Sequence, residues 1–177
     1  MITYYIAQAI SILVAGISVI ALQMKTMKGL LIGHITINAL AAFAYLLQKG
    51  YSAFAIGMIA VVQCCIMYLY DKKRMRPHLP VVLAFIALYA SCSAIFYQSP
   101  IDLLSGSAAV LFAIGVACKR PVVARTWSAL NAITWIVYDI CLHAWGGLIM
   151  HAVILSSVLV AFVRVDHIFQ KKSIDKQ

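Results

Sequence analysis

Long apolar runs, each closed by a short polar interruption, fill this chain almost from end to end. A helix needs about 20 apolar residues to cross roughly 30 Å of hydrocarbon. On that measure the pattern predicts seven spans, near 3–23, 29–48, 53–70, 80–97, 101–118, 126–144 and 147–165. Proline marks several boundaries: Pro77 and Pro80 precede the fourth span, Pro100 the fifth and Pro121 the sixth, and none lies mid-span. A first-turn proline is tolerated because its missing N–H would have no helical acceptor there. The spans leave short loops and a tail over 168–177, so the pattern predicts one transmembrane domain, with any chemistry inside the bundle or at its rims.

Composition agrees, since 64% apolar and 11% charged residues exclude an ordinary soluble globule. Charge then adds an orientation. Of the fourteen Lys and Arg residues, all but Lys49 lie at the end of, or after, the first, third, fifth or seventh span. Basic loops stay cytoplasmic, so the N-terminus is expected outside and the C-terminus inside. A net charge of +9 would suggest nucleic acid in a soluble protein. Spread over four loop segments, it reads instead as topology plus attraction to anionic lipid headgroups. The lipid bilayer is the expected partner, nucleic acid is not, and a homo-oligomer is compatible with the chain. No basic segment precedes the first span, which is expected to be retained rather than cleaved.

Candidate chemistry is sparse. Cys64, Cys65, Cys92, Cys118 and Cys141 sit within spans or at their ends without a CxxC, so they read as small hydrophobes, with no disulfide, metal or cofactor expected. Tyr4, Tyr5, Phe96, Tyr97 and Trp145 on one side, and Tyr68, Tyr70, Trp127 and Phe169 on the other, form the expected interfacial belt. No paired carboxylates, metal-ligand spacing or phosphate loop points to an enzyme.

The spans group as three, one, three: a first repeat over about 1–73, a linker helix over about 78–98 and a second repeat over about 99–167. Asn38-Ala-Leu-Ala-Ala-Phe-Ala-Tyr45 and Asn131-Ala-Ile-Thr-Trp-Ile-Val-Tyr138 align at one offset, which also sets Gln63 opposite Ser156. One linker helix between triplets makes them run parallel, a transporter plan that places a solute site between the repeats near the midplane.

Several short motifs resemble the YgjV family of bacterial inner-membrane proteins. They are Ala7-Gln8, Gly50-Tyr51-Ser52-Ala53, Pro100-Ile101-Asp102-Leu103-Leu104, and Trp135-Ile136-Val137-Tyr138-Asp139 running into Gly146-Gly147. That family is grouped here with the SWEET, PnuC and PQ-loop transporters. The resemblance implies a 3+1+3 helical fold and passage of small solutes, without naming one. The chain departs from the wider group in carrying Ser105 where similar proteins have an in-helix proline. It also offers only Gln63 near the mid-helix Asn of sugar-transporting relatives. Without such prolines, bending would fall to glycines such as Gly16, Gly57, Gly106 or Gly115.

Every intramembrane polar side chain needs a reason, because hydrocarbon offers no hydrogen-bond partner. Asn38 and Asn131 carry amides suited to a polar solute, or they bond neighbouring helices together. Asn131, Trp135, Tyr138 and Asp139 share one helical face, and Tyr45, Gln63 and Ser156 complete the candidate solute-binding set. Asp139 with His143 or His151 reads as a proton-sensitive outer gate or cation-binding point, the alternative being a helix–helix ion pair. His34 reads as an interfacial histidine. The expected function is a transporter or facilitator of a small polar solute, working by alternating access between the repeats. The alternative is a non-transporting bundle, either a receptor-like binder or a structural subunit of a membrane complex.

Overall fold

A computed structural model describes residues 2–47, 51–97, 100–141 and 145–166. Among them are seven α-helices: α1 (Ile2–Leu22), α2 (Met27–Leu47), α3 (Tyr51–Lys72), α4 (Leu79–Ile95), α5 (Asp102–Ala117), α6 (Pro121–Cys141) and α7 (Trp145–Ala161). A π-helical turn over Phe162–Asp166 continues α7. The all-α expectation holds, and the prolines fall where they were read: Pro80 in the first turn of α4 and Pro121 at the start of α6.

Four helical segments, Tyr5–Leu22, Met27–Leu47, Ala53–Lys72 and Trp145–Arg164, are long and apolar enough to cross a membrane. The apolar helices α4 and α5 are shorter, at 17 and 16 residues. Helix α6 has 21 residues, but Arg125, Asn131 and Asp139 interrupt its apolar character.

Six helices close a ring in the order α1, α2, α3, α5, α6, α7, with α7 returning to α1 and α4 packed against both α3 and α5. The buried positions are rich in small residues, with Ala7, Ala42, Ala108, Ala113 and Ala132 fully buried. Large apolar side chains such as Ile12, Ile95, Ile149 and Val163 point outward. That inversion suits a bundle in lipid: tails solvate large side chains as well as a protein core would, so helices associate through close backbone approach at small residues. A Cβ placed on Gly33 of α2 would overlap that of Ala21 on α1, and one on Gly57 of α3 would lie 2.9 Å from that of Ala42 on α2. Gly106 and Gly115 are likewise packed against Ser93 and Trp127, and among the four candidate hinge glycines only Gly16 has open space beside it.

The basic loops gather at one end. Lys119 Nζ donates to the carbonyl of Arg74 at 3.3 Å, joining the α5–α6 and α3–α4 connections. Arg125, near the start of α6 and 1% exposed, reaches α1: its Nε donates to the Leu22 carbonyl at 3.0 Å and its terminal nitrogen to that of Met24. The final carbonyls of α1 have no helical donors and carry the negative end of the helix dipole, so a guanidinium is a fitting cap. Gln23 Nε2 donates to the Ser157 carbonyl at 2.9 Å, tying the same end of α1 to α7.

Candidate functional site

A cavity of about 120 Å³ lies inside the ring. Its walls are largely apolar, from Ile37, Ala41, Ile56, Ala109, Phe112 and Ile154 among others. Onto this lining project Asn38 and Tyr45 from α2, Asn131 and Trp135 from α6, and His151 from α7. Five of the sequence-predicted site residues thus come together on one cavity.

Each asparagine is anchored. Asn38 Nδ2 donates to the His34 carbonyl one turn back at 2.7 Å, and Asn131 Nδ2 donates to the Ala108 carbonyl of α5 at 2.6 Å. An amide has two N–H donors and an oxygen acceptor. One donor from each fixes the side chain, while no hydrogen bond to either oxygen forms among the described residues.

Toward the far end from Arg125, the polar groups form a chain. His151 Nδ1 lies 2.8 Å from Asp139 Oδ2, with both residues buried. Trp135 stacks on His151 with centroids 5.4 Å apart and planes 2° from parallel. Tyr138 meets Trp135 edge-on at 5.3 Å. Gly147, in the first turn of α7, makes room for the carboxylate: a Cβ there would fall 2.7 Å from Asp139 Oδ1. The carboxylate therefore rests against a helix N-terminus, where unpaired N–H groups and the dipole favour negative charge.

A family model described as Imp-YgjV, bacterial inner membrane protein, matches residues 5–168, and so spans both this cavity and the Asp139–Gly147 contact. The chain belongs to the Imp-YgjV family. Comparison with curated proteins and with solved structures returns no match. The bacterial inner membrane of the family description agrees with four helices able to cross a bilayer.

In this Imp-YgjV member the remaining candidates lie elsewhere. Gln63 is fully buried outside the cavity lining: its Nε2 donates to the Ala113 carbonyl at 3.0 Å, and Tyr89 Oη donates to its Oε1 at 3.1 Å. Its amide thus ties α3 to α4 and α5. Ser156 is on the exposed side of α7, donating back to the Ala152 carbonyl at 2.8 Å. His143 lies outside the described residues.

Sequence reading placed His34 at the interface and passed over Ser18, Ser128 and Tyr89, and all four line the cavity. His34 packs edge-on against Phe112 at 5.3 Å. The available signal was its place one turn before Asn38, on the same helical face. For Ser18, Ser128 and Tyr89 no periodicity separated a cavity-facing position from a packed one.

Proposed function

We propose that this protein is a transporter or facilitator of a small polar solute. In this reading all seven helices cross the inner membrane, α1–α3 and α5–α7 form two parallel repeats joined by α4, and access alternates between the faces as the repeats move. This is the 3+1+3 plan of the SWEET-like group. The observation that carries the reading is the cavity itself, where Asn38 and Asn131, the aligned residues of the two triplets, share one lining with Tyr45, Trp135 and His151. The pairwise order of the ring also suits it, because α1 meets α7 as α5 meets α3. With the basic end cytoplasmic, the N-terminus lies outside.

The deciding experiment is uptake into proteoliposomes across a panel of small polar solutes, comparing the native protein with an Asn38→Ala, Asn131→Ala variant. The expected result is a solute whose flux falls at least tenfold in the variant, since two amides inside hydrocarbon-like walls are each worth about 1 kcal/mol or more. Equal flux in both proteins would remove these residues from the path.

The second reading, a non-transporting binder or structural subunit, is favoured by the backbone hydrogen bonds of both amides. It predicts binding without flux, with the Asn-to-Ala changes lowering stability instead.

A further inference from the structure

The imidazole of His151 is held on two sides. Asp139 Oδ2 lies 2.8 Å from its Nδ1, and the Trp135 indole covers one face in parallel. With Asp139 as a carboxylate, the contact is made by the Nδ1–H tautomer, in which the neutral ring keeps a lone pair on Nε2. Nε2 forms no hydrogen bond among the described residues, and His151 lines the cavity while Asp139 does not. The Asp139 charge is met by the first turn of α7, where Gly147 lets the carboxylate approach, so the ring need not be cationic to balance it. The result is a fixed acceptor at one end of a mostly apolar chamber, with two anchored amides further in.

We propose that His151 Nε2 selects the solute by accepting a hydrogen bond from it, and that the solute is a neutral, ring-sized molecule presenting an N–H or O–H donor. The proposal rests on reading the cavity as the solute site. Size follows from volume: an apolar protein cavity of about 150 Å³ holds one benzene, so about 120 Å³ suits a single small ring. Neutrality follows from the walls, since among the described residues the lining carries no Asp, Glu, Lys or Arg, Asp139 beside it is held by His151 and the α7 turn, and Arg125 is bonded to the end of α1. A buried acceptor discriminates strongly, because a solute without a donor leaves it unpaired.

The test uses two isomers, 2-piperidone, which has an amide N–H, and N-methyl-2-pyrrolidinone, which has none. Ligand-observed NMR titration of the purified full chain in nanodiscs gives Kd for each. The expected result is about tenfold tighter binding of 2-piperidone. That preference should vanish in His151→Phe, which keeps the stack on Trp135, and persist in His151→Gln, whose amide oxygen can occupy the place of Nε2. Should His151→Phe fail to fold, the isomer comparison on the native protein and on His151→Gln carries the test. Equal affinity for both isomers, tighter binding of the N-methyl compound, or binding of neither overturns the proposal, even if other solutes are transported. The predicted preference without flux of any solute in proteoliposomes leaves this inference standing and overturns the transport reading instead.

Discussion

At the scale of single residues, the most informative contact is between Asp139 and the first turn of α7. Asp139 is a carboxylate inside an apolar helix, and such a group must find a partner or lose its charge. The sequence offered His143 and His151 as partners; the fold puts His151 at 2.8 Å. It also gives Gly147 a role as the space the carboxylate occupies, where spacing alone had made it only part of a motif. Gly147→Ala is therefore expected to destabilise the protein by about 1–3 kcal/mol, because a methyl group would overlap the carboxylate. Detergent-unfolding midpoints measure this, and Gly146→Ala, at an exposed neighbour, is the control. A Gly147→Ala protein as stable as the control would mean that the carboxylate has room to move aside.

Helix boundaries were legible because proline and short polar runs punctuate the apolar pattern, and Pro80 and Pro121 do sit in first turns. What stops α3 was not legible. The Arg74 N–H bonds to the Asp71 carbonyl at 3.0 Å and the Met75 N–H to that of Tyr70 at 3.0 Å, with Arg74 at φ 55°. This is a Schellman ending, whose left-handed position is usually glycine. Arg74→Gly should therefore stabilise the α3 terminus by up to about 1 kcal/mol, read as a higher unfolding midpoint. A lower midpoint would show that the arginine side chain contributes more than the backbone strain costs. Inter-helix tolerance is narrow as well. Gly33 touches Ala21 across α1 and α2, a close approach of the kind small residues permit between helices in lipid.

For the molecule as a whole, the charge pattern and the fold agree on which loops share an end. Lys119 bonds the α3–α4 loop, and Arg125 bonds the end of α1. Orientation in the inner membrane can be tested with a membrane-impermeant thiol reagent on intact cells, in a background with the native cysteines replaced. Lys49→Cys is expected to label and Lys119→Cys to stay protected until the cells are opened. The reverse pattern would invert the proposed topology.

The sequence by itself determined the class. Apolar run length, the four basic loop segments and the proline punctuation depend only on local composition and the thickness of a bilayer, so they can be read without a partner in space. It also supplied the match of Asn38 with Asn131, because a common offset between two segments is a property of the string. Tertiary structure alone decided which polar residues meet. Gln63 and Asn38 look alike in sequence, both amides in apolar helices, yet one ties three helices together and the other faces a cavity. Arg125, counted as a loop charge, became a buried cap on a helix more than a hundred residues away in sequence. Side-chain neighbours across helices depend on how the ring closes, and in a uniformly apolar helix no periodicity announces which face will turn inward.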